Sequence, residues 1–318
     1  MLGIFAVLTS VALADTQLYN VTDAPQLPRN PFTSYYTPPF NKQPQEFPGL
    51  VSKMDPRPDH GEETYQGTGK MVGRKVMVTG GDSGIGRAAA IAYAREGADI
   101  VINYLPEEES DAQEVLELIK AAGQKGIGYP GDLRNETFCQ DLIETTVREL
   151  GGLDCLVNSA GRQQYVDDFM DLTPDMFDWT LKTNLYALYW LVRAAVPHMP
   201  EGSSMVFTTS EEAYNPDGIL TDYVMTKGGI ESYTKSLAKA MLTRGIRVNA
   251  VAPGPFWTPL QVQGGQPQSA IANYGNTSQI GRPGQPAEIA SLYVLLATTE
   301  SSYLTGQIMG ATGGDGFP

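Results

Sequence analysis

From residue 70 onward, short unbroken apolar runs alternate with longer stretches whose apolar residues recur every third or fourth position. The runs Lys75–Thr79, Asp99–Tyr104, Leu153–Asn158, Ser204–Thr209 and Ile246–Val251 predict strands buried on both faces, because a strand with one wet face alternates polar and apolar residues instead. Helices are predicted over Gly84–Glu96, closed by Gly97, and over Asp111–Ala122, stopped at Gly123. A third helix runs from Thr173 to about Met199, where Pro197 bounds its end, and a further helix carries Tyr223 and Lys227. Another strand precedes Gly131. Buried strands alternating with amphipathic helices predict an α/β fold built on a doubly wound parallel sheet. Residues 70–318 show no internal repeat and no break in composition, and read as a single domain.

The segment before that domain is different. Residues 15–69 carry Pro25, Pro28, Pro31, Pro38, Pro39, Pro44, Pro48, Pro56 and Pro58, a density that forbids regular ladders because each proline lacks a donor. This predicts an extended arm. Phe32, Tyr35, Tyr36, Phe40 and Phe47 are costly to leave in water, so the arm is expected to lie on the globular body or on a neighbouring subunit. Residues 1–14 contain no charged side chain and end in Ala12-Leu-Ala14, which resembles a secretory signal peptide without its basic start.

Composition removes several classes of function. The 318-residue chain has a formal net charge of −14, a field that repels nucleic acid and anionic membrane surfaces. Cys139 and Cys155 have no metal-like spacing and read as buried free thiols, and His60 and His198 are the only histidines. A zinc site or a Ser-His-Asp triad has little material here, and no metal is expected.

The candidate chemistry lies elsewhere. Tyr223 and Lys227 stand four apart on a predicted helix and share one face, where a nearby ammonium can lower a phenol's pKa from its usual ~10. Ser210 lies thirteen residues upstream of the tyrosine. The turn Thr79-Gly-Gly-Asp-Ser-Gly-Ile-Gly86 joins a strand to a helix, the context a phosphate-binding loop requires. Gly80 permits the tight turn, and Gly84 and Gly86, with Ser83 and Ile85 beside them, let backbone amides approach a pyrophosphate. At the end of the second strand, where an NAD enzyme commonly carries an acidic residue, this chain has Asn103 and Tyr104. That leans toward NADP while admitting NAD, with Arg87 a possible partner for a 2′-phosphate. Asp132, followed by Leu133, is placed to meet an adenine edge or to cap the helix beginning near Glu136.

Taken together, Thr79-Gly-x-x-x-Gly-x-Gly86, Asn158-Ser-Ala160-Gly161, Asn184, Ser210, Tyr223-x-x-x-Lys227 and Pro253-Gly254 resemble the short-chain dehydrogenases/reductases over residues 70–318. Ile102-Asn-Tyr-Leu-Pro-Glu107 and Gln43-Pro-Gln-Glu-Phe-Pro-Gly49 are similar to the glucose/ribitol dehydrogenase-like, general-stress branch, which includes NADP-dependent aldehyde reductases. The resemblance implies a Rossmann fold and an NAD(P)-dependent oxidoreductase acting on an aldehyde, ketone, or sugar- or polyol-like alcohol. By the same resemblance, Tyr223 is the general acid or base, Lys227 lowers its pKa and bonds the nicotinamide ribose, Ser210 holds the substrate oxygen, and Asn184 supports a proton relay. Asn158, Ala160 and Gly161 would line the cofactor, and Pro253, Gly254, Phe256 and Thr258 would close over its carboxamide. Ser159 stands where the family commonly has a second asparagine. A 3-oxoacyl-acyl-carrier-protein reductase shares all these motifs, and a non-catalytic partner-binding protein of the same fold is the reading from a different class. The family also implies a homotetramer or homodimer, with the aromatic-rich helix from Thr173 at a subunit contact. A nicotinamide cofactor points to the cytoplasm, against the signal-like start.

Overall fold

The structure, a computed structural model, describes residues 28–316, so the signal-like segment and the first part of the arm lie outside the described residues. Seven strands form one sheet: β1 Lys75–Thr79, β2 Asp99–Tyr104, β3 Gly126–Pro130, β4 Cys155–Asn158, β5 Ser204–Thr208, β6 Arg247–Pro253 and β7 Ile308–Ala311. Their order is β3-β2-β1-β4-β5-β6-β7, and every neighbouring pair is parallel. The order reverses direction between β1 and β4, which opens a crevice at the carboxyl ends of those strands.

Side-chain alternation divides the core between two faces. Val76 and Val78, Ile100 and Ile102, and Cys155 and Val157 pack to one side, against α1 Gly84–Arg95, α2 Glu109–Ala121 and, later in the chain, Pro286–Ala297. Met77, Val101, Leu156, Met205 and Phe207 pack to the other, against α3 Glu136–Leu150, α5 Ala187–Ala195 and α6 Thr221–Met241, and α4 Pro174–Leu181 packs on α6. The five central strands β1, β2, β4, β5 and β6 are therefore dry on both faces, the physical reason their sequences are unbroken apolar, whereas the edge strands β3 and β7 are only partly buried. The short helix α7 Gln268–Ile271 lies in the long connection after β6, ahead of α8, which is the helix Pro286–Ala297.

The predicted helix from Thr173 is not one regular helix. Thr173 caps α4, accepting a hydrogen bond from Met176 N at 3.2 Å, and a π-helical turn over Lys182–Tyr186 then separates α4 from α5. The wide turn carries Asn184, fully buried at 1% exposure. Extra residues in a helical turn reorient side chains, and such turns cluster at functional sites.

The described part of the arm lies on the body. Phe40 stacks on Trp257 with ring centroids 4.4 Å apart, and the Trp257 indole donates to Pro56 O at 2.8 Å. Phe40, Met54, Trp257, Val262 and Ile271 form a third apolar cluster of their own. Arg87 is buried against the arm and α2, pairing with Glu62 at 3.1 Å and Glu114 at 2.9 Å. This overturns the expectation that Arg87 reaches toward a 2′-phosphate, because both its carboxylate partners lie away from the crevice.

Candidate active site

A cleft of about 800 Å³ lies along the carboxyl ends of the strands, lined by the turns that follow β1 to β6. Gly80, Ser83, Gly84, Ile85 and Gly86 form one part of its wall. Gly80 and Gly84 have φ of 61° and 51°, a region that disfavours side chains. A Cβ on Gly86 would sit 2.0 Å from Gly80 O, so only glycine lets the first turn of α1 press against the strand end. Ser83 makes no side-chain cap, which leaves the amides at the start of α1 facing the cleft. Thr79 ties this turn to the next: its hydroxyl donates to Asn158 Oδ1 at 3.2 Å and accepts from Ser159 N at 3.0 Å and Ala160 N at 3.1 Å. Asn158 thus stands behind the cleft as a brace, while Ser159, Ala160 and Gly161 line it. These two turns, poor in side-chain bulk, leave room for a dinucleotide's pyrophosphate on backbone donors, and the residues present fit that group.

Asn103, Tyr104, Asp132 and Leu133 line the far end. The Asn103 amide donates to Tyr129 O and Gly131 O, both at 3.1 Å, and the Tyr104 hydroxyl donates to Glu109. Asn135, not Asp132, caps α3, accepting from Phe138 N. Asp132 is instead gripped by the Arg134 guanidinium, which holds its carboxyl below the usual range. Asp82 and Glu108 also line this end, and burial pushes both carboxyls well above the carboxylate range, with the charge of Asp111 adding to it at Asp82 and that of Asp82 at Glu108.

At the other end, Ser210, Tyr223 and Lys227 converge, each under a tenth exposed. Ser210 follows β5, and its hydroxyl accepts from Glu212 N at 3.2 Å. The Lys227 ammonium donates to Thr208 O at 2.8 Å and lies 5.2 Å from the centroid of the Tyr223 ring. Asn184 does not line the cleft; its amide donates to Arg162 O and Thr226 Oγ1, and its oxygen accepts from Arg162 N. Asn184 Oδ1 and Lys227 Nζ nevertheless face one point, since a Cβ placed on Gly161 would be 3.7 Å from each. Pro253, Gly254 and Thr258 line the cleft as well, whereas the Phe256 ring is buried in the core beside Gly284.

Burial shapes the titration of this end. It pushes the Lys227 ammonium down to about 7. The Tyr223 phenol is pushed above its ordinary value, first by burial and then by Glu212 and Glu211, with a hydrogen bond from Ser210 opposing. The protein alone therefore does not lower the phenol, contrary to what the four-residue spacing predicts. Desolvation acts on both groups before either can help the other. Glu211 is pushed up to about 7, by burial and then by the charges of Glu212 and Asp315.

Several lining residues are not among those the sequence assigned to the site. Phe47, Pro48 and Gly49 come from the arm, and Trp179 from α4 lies between Arg134 and Arg162, whose guanidinium carbons are 4.3 and 4.7 Å from its ring centroid. The aromatic content of the arm signalled docking, but only the fold says where.

The chain matches the family described as enoyl-(acyl carrier protein) reductase over residues 80–315. It is 54% identical over 288 residues to the uncharacterized oxidoreductase YhxD of Bacillus subtilis (strain 168), covering 90% of this chain and 96% of that protein. It is 38% identical over 281 residues to a glucose and ribitol dehydrogenase of Daucus carota, covering 86% and 96%. Among solved structures, a short chain dehydrogenase from Burkholderia cenocepacia J2315 in complex with NADP superposes with a TM-score of 0.72 at 31% identity, over 77% of this chain and 98% of that one. With this sheet order, this glycine turn and relatives of this length and identity, the chain belongs to the short-chain dehydrogenase/reductase superfamily of oxidoreductases.

Proposed function

We propose that the protein moves a hydride between NADP and a neutral aldehyde, ketone, or sugar- or polyol-like alcohol, with Tyr223 transferring the proton. The observation that carries this reading is that Ser210, Tyr223 and Lys227 open into the same cleft as the glycine turn. The glycine-turn amides would hold the pyrophosphate, and Ala160, Gly161, Pro253, Gly254 and Thr258 would border the nicotinamide end. When bound, the nicotinamide supplies or takes the hydride. The chain supplies the rest. Ser210 positions the substrate oxygen, and Tyr223, protonated at neutral pH, is in the state from which a carbonyl oxygen receives its proton. Lys227 and Asn184 face a common point behind Gly161, where a water would link them to bulk. The raised carboxyls of Asp82 and Glu108 keep their protons more readily than ordinary ones, so these two groups repel a 2′-phosphate less than two carboxylates would. The names of the Burkholderia and carrot relatives support NADP and a hydroxylated substrate.

Charge at the substrate end favours neutral molecules. Glu211, Glu212 and Asp217 all line the cleft beside Tyr223. Burial raises the Glu211 and Glu212 carboxyls, so their repulsion of an anionic substrate grows as pH rises. Once ionised, a carboxylate a few ångströms from an anion costs several kcal/mol at an effective ε of ~20. These groups also accept hydrogen bonds from hydroxyls. The expected result is a higher kcat/KM for a neutral aldehyde or sugar than for its carboxylate or phosphate analogue of equal size. Profiling the purified protein with NADPH and NADH against aldehydes, sugars, polyols and their anionic analogues tests both statements. An equal or better value for the anion would discard the neutral class and remove the main reason for ranking the 3-oxoacyl-acyl-carrier-protein reductase second.

We also propose a homotetramer, or at least a homodimer. Tyr186 and Tyr189, on the outer side of the π-turn and α5, and Met225 on the neighbouring α6, are each 47% exposed. Large apolar side chains grouped this way favour a covered face. Light scattering at micromolar concentration is expected to give a multiple of the 34.4 kDa chain mass, and a monomeric mass would refute it.

A further inference from the structure

The arm crosses the cleft. On one rim it is held by the connection after β6: Phe40 N donates to Ala272 O at 2.9 Å, Gln45 N to Val262 O at 3.2 Å, and Gly49 N to Gln263 Oε1 at 2.6 Å. On the opposite rim, Val51 N donates to Asp111 Oδ2 at 2.6 Å. Asp111 is fully buried in the first turn of α2, just beyond the end of β2. Between these anchors Phe47 meets Trp179 edge-on, with centroids 5.4 Å apart, and Phe47, Pro48 and Gly49 line the cleft.

We propose that residues Phe47 to Val51 form a strap over the cofactor cleft and set the rate at which the cofactor enters and leaves, an inference that rests on the cofactor reading above. The segment is built to move as one piece. Gln45 bonds both the amide and the carbonyl of Leu50, at 2.7 and 3.2 Å, closing the chain between them into a loop. The two ends differ in firmness. The Val51 end is fixed to a buried carboxylate, whereas the Gly49 end rests on the half-exposed side chain of Gln263 and on the Phe47–Trp179 contact. Opening therefore requires breaking the second set together with the Gln45 N–Val262 O bond, while Val51 on Asp111 and Phe40 on Ala272 stay as the two hinges. Segments held by a few such contacts open on the timescale of product release, and release is often the slow step.

The test locks and loosens the same latch. An ideal Cβ on Gly49 would lie 3.2 Å from Gln263 Cβ, close to the roughly 3.5–4.5 Å found across disulfides. Gly49 has no positive φ to forbid a side chain, and the native cysteines Cys139 and Cys155 are buried. The full chain carrying Gly49→Cys and Gln263→Cys is loaded with NADPH, oxidised or kept reduced, and NADPH release into excess NADP is followed by stopped-flow fluorescence. Release is expected to slow by ~10-fold or more in the oxidised form, and in Phe47→Ala to quicken by a similar factor. Release within about twofold of the unaltered protein in both cases would overturn the strap and leave the cofactor reading standing. If the crosslinked variant does not fold, Phe47→Ala decides alone. If the unaltered protein binds neither NADPH nor NADH, both the cofactor reading and the strap fall.

Discussion

Tyr223→Phe is expected to lower turnover by ~10²-fold or more while NADPH binding stays within about twofold of the original. The substitution removes one oxygen from a ring that is 6% exposed and changes no packed volume of consequence, so the fold should survive. What is lost is the phenolic hydroxyl that shares a hydrogen bond with Ser210 and carries the transferable proton of the proposed mechanism. Ser210 remains able to orient a carbonyl, but a serine hydroxyl is too weak an acid to replace the phenol. Steady-state turnover together with NADPH fluorescence titration separates the two effects. Near-normal turnover would remove Tyr223 from the proton transfer.

Lys227→Ala is expected to harm both turnover and cofactor affinity, by ~10-fold or more in each, because in the proposed mechanism the ammonium serves the phenol and the cofactor together. Its titration gives a sharper sign. Burial lowers the Lys227 pKa to about 7 in the protein alone, so near neutral pH a part of the population is uncharged. An anionic cofactor prefers the charged form, and binding is then coupled to proton uptake. By linkage, affinity should weaken as pH rises above about 7 in the unaltered protein and lose that slope in Lys227→Ala. Dissociation constants measured from pH 6 to 9 give the comparison on the scale of the pKa change. A loss confined to the substrate's KM, with cofactor affinity and its pH slope intact, would contradict the double role.

The apolar runs determined the central strands because the middle of the sheet is dry on both sides. Asp99–Tyr104 is read from the residues with the same bounds that the structure shows, and Lys75–Thr79 likewise. The edge strand Ile308–Ala311 left no such trace: it is only partly buried and contains a glycine, so its apolar run is too short to distinguish from a turn. The π-turn at Lys182–Tyr186 was equally silent, since its cause is the partnership of Asn184 with Arg162 and Thr226, far away in sequence.

The chemistry divides in the same way. Local spacing was enough to single out the glycine turn and the Tyr223–Lys227 pair, because one strand end or one helical turn places each set of residues side by side. Tertiary structure decided what depends on distant partners. Arg87 became a buried partner of Glu62 and Glu114, and Asn158 a brace for Thr79. Phe256 went into the core, and Phe47 reached the cleft from outside the sheet. The titration of Tyr223 and Lys227 is also a tertiary property, because desolvation is set by everything packed around a group and not by the residue four positions along.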